Sequence, residues 1–203
     1  MLIGIDLDNT LICYDQVFRR LAAEAGLQFA HPSPGPKEIR AAARRCPEGD
    51  IAWQKLQGAA YGPGILEVRP AEGVLDFLRR CARERVPVWV ISHKTEFAAQ
   101  DPTRTNLRRA ALDWLAAQGL FRPEMGLEPG RCRFAASRTE KIALIRSQGC
   151  THFVDDLDET FREPSFPDGV TRILYAPQDP VPVDLPGVRI VRSWAEVPGV
   201  CFP

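Results

Sequence analysis

The chain has 203 residues, of which 45% are hydrophobic and 26% are charged, so it is long enough for one well-packed core and a modest insertion. No stretch approaches the roughly 20 apolar residues of a membrane span, and Met1–Asp6 lacks the basic region of a signal peptide, so a cytoplasmic location is expected. The 26 basic and 26 acidic residues cancel, which argues against a membrane surface or a nucleic acid as the partner.

The first part of the chain predicts one strand followed only by helices. Leu2–Asp6 is a short apolar run that ends in a carboxylate, a pattern typical of a buried parallel strand. Apolar residues at helical spacing predict helices at Gln16–Ala25, Lys37–Cys46 and Asp50–Tyr61. Because no strand accompanies these helices, we predict that residues 14–64 form a small helical cap inserted after the first strand.

Helices and strands alternate in the rest of the chain. Further helices are predicted at Ala71–Arg85, Thr103–Gln118 and Arg138–Gln148, and further strands at Val86–Ile91, His152–Val154, Val170–Tyr175 and Val188–Val191, with a Pro-rich loop near Asp179–Pro186. This alternation predicts a parallel sheet of five strands with helices on both faces. The predicted fold class is therefore α/β, with a three-layer Rossmann-like core formed by residues 1–13 and 65–203.

Polar side chains follow three of the predicted strands, at the points where those strands end. The first strand runs into Asp6-Leu7-Asp8-Asn9-Thr10, a middle strand into Ser92-His93-Lys94, and a later strand into Asp155-Asp156, with Lys141 near the start of the preceding helix. Ligands of open parallel sheets bind outside the carboxyl ends of the strands. We therefore expect these side chains to converge on one crevice.

Such a group of side chains is suited to a metal ion and a phosphate. Several carboxylates in a small crevice repel one another unless some are protonated or a cation is bound. Ligands that are all oxygen select a hard ion such as Mg²⁺, which, beside Ser and Lys donors, neutralises and holds a phosphate group. Two aspartates two positions apart, Asp6 and Asp8, can supply a nucleophile and a proton carrier.

These motifs resemble those of the haloacid dehalogenase (HAD) superfamily. Asp6–Thr10 is similar to its first motif, Ser92 to its second, Lys141 to its third and Asp155-Asp156 to its fourth, in the family's order. The resemblance implies a HAD-like core with a cap, and a Mg²⁺-dependent phosphohydrolase acting on a small phosphorylated metabolite such as a sugar phosphate or a nucleotide. Since the dehalogenases of the superfamily lack an acid at the position of Asp8, phosphoryl transfer is favoured over dehalogenation.

A narrower resemblance concerns the chain after the second predicted motif. Ser92–Thr95 and Asp101–Leu107 are similar to a little-characterised bacterial subgroup of the superfamily. This likeness covers a short stretch and implies no particular substrate.

The family resemblance implies a role for each motif residue. Asp6 would form a phosphoaspartyl intermediate and bind Mg²⁺. Asp8 would protonate the leaving group and then activate water, with its backbone carbonyl also on the metal. Ser92 and Lys141 would hold the phosphoryl oxygens, and the further candidates for substrate contact are Thr10, His93 and Lys94.

The fourth motif leaves the metal ligands open. Asp156 would be the principal ligand with Asp155 assisting, but the sequence reads Asp-Asp-Leu-Asp where the family more commonly has Gly-Asp and a later Asp. Asp158 is therefore a third candidate, although it also suits the acidic first turn of a helix. The six cysteines form no C-x-x-C pair and have no His at zinc-finger spacing, which argues against zinc.

Other interpretations of the same residues stay open. His93 and Lys94 are equally well explained as an exposed loop pair. A phosphotransferase or phosphomutase would keep all four motifs but pass the phosphoryl group to an acceptor other than water. A catalytically idle binding module is the alternative from a different class, and the complete set of motif residues argues against it.

Overall fold

Short apolar runs become the strands of two sheets in the structure, a computed structural model that describes residues 1–177 and 184–202. In chain order the strands are β1 (Ile3–Ile5), β2 (Ile12–Cys13), β3 (Arg69–Pro70), β4 (Val88–His93), β5 (Cys132–Ala135), β6 (His152–Asp155), β7 (Thr171–Tyr175) and β8 (Val188–Val191). Six of them form a parallel sheet in the order β5-β4-β1-β6-β7-β8, and β2 and β3 form an antiparallel ribbon. Because β4 and β6 flank β1, the strand order reverses beside β1, where ligands of such sheets bind.

Helices connect the strands. They are α1 (Asp15–Glu24), α2 (Pro36–Arg45), α3 (Asp50–Tyr61), α4 (Val74–Arg83), α5 (Leu107–Ala117), α6 (Arg138–Ser147), α7 (Asp158–Phe161) and α8 (Val197–Cys201), with short 3₁₀ helices at Pro63–Glu67, Pro123–Met125 and Pro129–Arg131. None of the helices in the described residues is long and apolar enough to cross a membrane.

Helices cover both faces of the parallel sheet. Successive side chains of a strand point to opposite faces. In β4, Val90 joins an apolar cluster that includes Leu78 of α4 and Trp114 of α5, whereas the next residue, Ile91, joins a second cluster that includes Ile142 of α6. The structure therefore confirms the predicted three-layer α/β fold.

An aromatic cluster holds two of the inserted helices together. Its members are Tyr14, Phe18, Trp53 and Tyr61. Phe18 of α1 stacks on Trp53 of α3 with 5.4 Å between ring centroids, and Tyr61 lies edge-on to Phe18 at 5.7 Å and to Tyr14 at 4.9 Å. The β2–β3 ribbon lies where the chain enters and leaves this helical segment. The division into a core and a cap at residues 14–64 stays a prediction.

The sequence predicts most of these elements to within a few residues, but the predicted number of strands was wrong. The main sheet has six strands, and the missed strand is β5. Its residues, Cys132-Arg133-Phe134-Ala135, contain an arginine and only two buried positions, because β5 is an edge strand and lacks the continuous apolar run of a central one. The β2–β3 ribbon and α8 were also missed. Residues 178–183, and with them most of the loop predicted at Asp179–Pro186, lie outside the described residues.

Candidate active site

The chain turns sharply after β1 and presents two carboxylates at the edge of the sheet. The backbone N–H of Leu11 donates to the carbonyl of Leu7 at 3.0 Å, which closes the turn. Asn9 has a φ of 59°, in the left-handed region that Asn tolerates better than most residues. The turn places Asp6, which is buried, and Asp8, whose side chain is 14% exposed, on the same edge of the sheet.

Lys141 lies between two of the predicted carboxylates. Ser137 caps α6, since its Oγ accepts from the backbone N–H of Glu140 at 3.1 Å. Lys141 follows in the first turn, and its Nζ donates to Asp6 Oδ1 at 2.6 Å and to Asp155 Oδ2 at 2.7 Å. The Lys141 side chain is only 3% exposed. The first turn of α6 therefore places one buried ammonium group between the carboxyl ends of β1 and β6.

The Lys141 ammonium also lies over the aromatic ring of Phe153 of β6. The ring centroid lies 5.5 Å from Lys141 Nζ, within the range in which an aromatic face attracts a cation. The ring lies against Gly4 of β1, where an added Cβ would approach it to 2.6 Å. Glycine at this position therefore leaves the space that the ring occupies.

Burial and mutual repulsion shift the ionisation of the carboxylates. Burial, opposed by Lys141 and reinforced by the charges of Asp155 and Asp8, raises the pKa of Asp6 to about 7. Burial, followed by the charges of Asp155 and Asp6, raises the pKa of Asp156 well above its usual range. For Lys141, burial lowers the pKa but the two carboxylates outweigh it, so the net shift is upward. The site thus stabilises an ammonium and disfavours full ionisation of its acids.

Thr10 joins the loop after β1 to the end of β6. Its hydroxyl donates to Asp156 Oδ1 at 3.3 Å and accepts from the backbone N–H of Asp156 at 3.1 Å. The Trp194 indole N–H donates to the Thr10 carbonyl at 3.1 Å and so holds the same loop through its backbone. In this structure Thr10 therefore orients Asp156, and its predicted substrate contact stays a prediction.

Three carboxylates are arranged to share a cation. Oxygens of Asp6, Asp155 and Asp156 all lie within 4.8 Å of one another. The Asp8 side chain is not part of this group, and the metal contact predicted for its backbone carbonyl stays a prediction. Asp158 instead forms an ion pair with Arg162 at 2.8 Å within α7. Of the three candidates in the fourth motif, the geometry therefore favours Asp155 and Asp156.

Asp8 forms an ion pair with a second buried lysine, Lys94. Nζ of Lys94 lies 2.8 Å from Asp8 Oδ2 and 3.1 Å from Oδ1, and it also lies 4.7 Å from the ring centroid of Tyr61. The Lys94 side chain is 1% exposed. The interpretation of Lys94 as an exposed loop residue was therefore wrong.

The neighbours of Lys94 on β4 differ from each other in burial. Ser92 is 1% exposed and lies near the carboxyl end of the strand, next to β1 in the sheet. His93 is exposed, and its Nε2 lies 3.2 Å from the carbonyl oxygen of Ala136. The alternation of a strand places Ser92 and Lys94 on one side and His93 on the other. Substrate contacts by Ser92 and His93 stay predictions.

Comparison with known proteins finds relatives in structure but not in sequence. No protein-family model and no curated protein matches the chain. A haloacid dehalogenase-like family hydrolase from Streptococcus pneumoniae superposes with a TM-score of 0.64 and 16% identity, over 98% of this chain and 97% of that one. The chain has the haloacid dehalogenase-like fold.

Two other HAD-like structures support the same conclusion. A predicted phosphoglycolate phosphatase from Haemophilus somnus superposes with a TM-score of 0.58 and 15% identity, over 98% of this chain and 97% of that one. A HAD family hydrolase from Deinococcus radiodurans, with bound phosphate and sodium, gives a TM-score of 0.57 and 18% identity, over 98% and 94%. At these identities the likeness establishes the fold, as the four motifs predicted.

Three contacts of the candidate site were not predicted from the sequence. Tyr61 is predicted only as the last residue of a helix, yet its ring faces Lys94. Arg108 is predicted as part of a helix, yet its Nε donates to the Lys94 carbonyl at 2.9 Å. Trp194 lies far from the motifs in sequence and contacts the loop of Thr10. Each contact joins segments distant in sequence, and helical or strand periodicity carries no signal for such pairs.

Proposed function

We propose that the chain is a Mg²⁺-dependent phosphohydrolase that cleaves a small phosphate monoester through a phosphoaspartyl intermediate on Asp6. The main support for this proposal is the position of the Asp6 side chain. The Asp6 carboxylate is buried at the end of β1, 2.6 Å from the Lys141 ammonium, and shares a possible cation position with Asp155 and Asp156. An anionic nucleophile beside a cation site and a fixed ammonium is what attack on an anionic phosphate requires.

The donor set fits Mg²⁺. Asp6, Asp155 and Asp156 offer only oxygen ligands, which hard divalent cations prefer. Burial and mutual repulsion raise the pKa values of Asp6 and Asp156, and the charge of a bound cation would offset both effects. When bound, Mg²⁺ would neutralise the charge of the phosphoryl oxygens.

In the first half-reaction, an Asp6 oxygen attacks phosphorus and the bond from phosphorus to the ester oxygen breaks. Asp8, two residues on, gives its proton to the departing oxygen. Lys141 and Ser92 would hold the non-bridging phosphoryl oxygens. The products are an alcohol and a phosphoryl group joined to Asp6.

In the second half-reaction, a water oxygen attacks the same phosphorus and the bond from phosphorus to Asp6 breaks. Asp8, now a carboxylate, takes the proton from that water and returns to its starting form. Inorganic phosphate leaves, and the Asp6 carboxylate is regenerated. The regenerated Asp6 carboxylate pairs with the Lys141 ammonium, whose Nζ lies 2.6 Å from Asp6 Oδ1.

Release of phosphate from p-nitrophenyl phosphate tests the proposal. We expect release with millimolar Mg²⁺, and loss of release when a chelator removes the metal, with Asp6→Asn as the control for contaminating activity. Full activity after exhaustive metal removal would contradict the mechanism.

The same assay separates the alternative functions. A phosphotransferase or phosphomutase would consume the ester only when an acceptor other than water is added. An idle binding module would consume no ester with or without such an acceptor. Screening phosphorylated metabolites, with sugar phosphates and nucleotides as separate sets, would then identify the substrate class.

A further inference from the structure

The ammonium of Lys94 is enclosed by one carboxylate and one aromatic ring. Its Nζ approaches both oxygens of Asp8, at 2.8 and 3.1 Å, and lies 4.7 Å from the centre of the Tyr61 ring. The side chain is 1% exposed, so these groups replace solvent as partners for its three N–H donors. In this arrangement Lys94 acts on Asp8.

The backbone of Lys94 is fixed independently of its side chain. Its N–H donates to the Ala135 carbonyl at 2.9 Å, which extends the pairing of β4 with β5 by one residue. Its carbonyl accepts from Arg108 Nε at 2.9 Å. These backbone contacts do not fix the side-chain torsions of Lys94, which are restricted instead by the Tyr61 ring and by Asp8.

The Tyr61 ring is itself held rigidly by its aromatic neighbours. It lies edge-on to Tyr14 with an interplanar angle of 78° and edge-on to Phe18 with an angle of 90°. Tyr61 is the last residue of α3, in the inserted helices, whereas Asp8 and Lys94 follow β1 and β4 of the sheet. Tyr61 therefore links an inserted helix to Asp8 through the buried ammonium of Lys94.

We propose that Tyr61 is a positioning residue for Asp8 and acts through Lys94. This role rests on the proposed function, in which Asp8 carries the proton in both half-reactions. The face of the ring attracts the ammonium, and the ammonium orients both oxygens of Asp8 in its carboxylate form, which is the form that takes the proton from water in the second half-reaction. Orientation of this kind affects turnover strongly, because proton transfer requires hydrogen-bond contact with the reacting oxygen.

Two substitutions of Tyr61 separate its ring from its hydroxyl. With p-nitrophenyl phosphate and saturating Mg²⁺, we expect Tyr61→Leu to lower kcat by about 10-fold, the effect of losing a desolvated cation–π contact. Its KM should stay within about twofold, because Asp8 acts on the transition states rather than on ground-state binding. Tyr61→Phe keeps the aromatic face and should keep kcat within about twofold of wild type.

Phe18→Leu is the matched control for lost packing. Phe18 belongs to the same aromatic cluster and contacts Tyr61 and Trp53, while the cation–π contact of Lys94 is with Tyr61. We expect Phe18→Leu and Tyr61→Leu both to lower the melting temperature, and only Tyr61→Leu to lower kcat. An equal loss of kcat in both variants would overturn the proposal, since it would show a general effect of packing.

Lysine labelling tests the contact without an activity assay. The chain has only four lysines, of which Lys37 and Lys55 are exposed while Lys94 and Lys141 are buried. With reductive methylation read by mass spectrometry, Lys94 should be protected in wild type and in Tyr61→Phe, and modified in Tyr61→Leu. Lys141 should stay protected in all three proteins, and the exposed pair gives the reference rate.

The outcomes distinguish this proposal from the one on which it rests. Wild type that releases no phosphate with Mg²⁺ would overturn the proposed function and this role together. Active wild type with an unchanged kcat in Tyr61→Leu would overturn only the role of Tyr61, as would equal protection of Lys94 in all variants.

Discussion

The two buried lysines at the carboxyl edge of the sheet are held by different parts of the molecule. Lys141 is supplied by α6, and its two carboxylate partners follow β1 and β6, so its surroundings belong entirely to the central sheet and a helix packed on it. Lys94 follows β4 and pairs with Asp8, but its other partner is Tyr61 from the inserted helices. The first arrangement surrounds the proposed nucleophile and the second surrounds the proposed proton carrier.

In the proposed mechanism, these two surroundings serve two different steps. Attack on phosphorus requires a well-positioned nucleophile, and the two buried ion pairs of Lys141 hold the proposed nucleophile, Asp6, beside the end of β6. Proton transfer must serve two different oxygens in succession, the leaving group and then water. The proposed proton carrier, Asp8, lies where the inserted helices meet the sheet, so our proposal predicts that Tyr61, a residue outside the motifs, affects it.

The largest expected effect comes from the nucleophile. Asp6→Asn keeps the shape of the side chain and an oxygen that accepts from Lys141, but an amide does not attack phosphorus. Phosphate release should fall to background at every substrate concentration. If the variant retained more than about a tenth of the wild-type rate, the assignment of Asp6 as nucleophile would be withdrawn.

The next effect concerns the proton carrier. Asp8→Asn should slow turnover by roughly 10²–10⁴-fold, as is typical when a general acid–base is lost. The loss should be larger for an alkyl phosphate than for p-nitrophenyl phosphate, because the alkoxide needs the proton more. Rates for the two esters, compared between wild type and variant, check this. Equal losses would argue against a role for Asp8 as acid.

Lys141→Met and Lys94→Met compare the two lysines directly. The first leaves Asp6 and Asp155 buried without an ammonium, and breaking a buried pair costs about 3–5 kcal/mol in the free energy of unfolding. The second should cost less, since Asp8 is 14% exposed and can be solvated. Chemical denaturation without metal measures both. Equal losses would remove the distinction, and near-normal activity of Lys141→Met beside an inactive Lys94→Met would assign the phosphoryl-holding role to Lys94.

The last expected effect is the pH dependence of stability in the absence of metal. The folded-state pKa of Asp6 is about 7 against an ordinary value of 3.8, so its contribution to stability is complete below about pH 3.8 and is lost as pH rises through 7. The raised pKa of Asp156 acts in the same direction. Metal-free wild type should therefore lose stability as the pH rises across this range, and Asp156→Asn should lose less.

Magnesium provides the control for that measurement. A ligand that binds only the folded state stabilises it, so the proposed Mg²⁺ site predicts that wild type melts at a higher temperature with millimolar Mg²⁺. Asp156→Asn should respond much less, because a ligand has lost its charge. A variant that is less stable than wild type without metal and keeps the full Mg²⁺ response would show that Asp156 is structural.

Local sequence predicted the parts of the site that each follow a strand. Asp6, Asp155 and Lys141 converge as expected, because parallel strands bring their carboxyl ends to one edge and α6 begins there. The edge strand β5 was missed because its half-buried position tolerates Arg133 within it. The Tyr61–Lys94 contact was missed because it depends on how the inserted helices pack on the sheet, which no local pattern encodes.

The central claim, that Asp6 carries the phosphoryl group, is tested most directly by trapping it. Asp8→Asn should be mixed with p-nitrophenyl phosphate and Mg²⁺, quenched in acid and digested for mass spectrometry. The good leaving group needs little help from an acid, so the intermediate should form and, without its base, hydrolyse slowly. We predict one phosphoryl group on Asp6, and none in the double variant that also carries Asp6→Asn. Phosphate release with Asp6 unmodified throughout, or a phosphoryl group on another residue, would contradict the account.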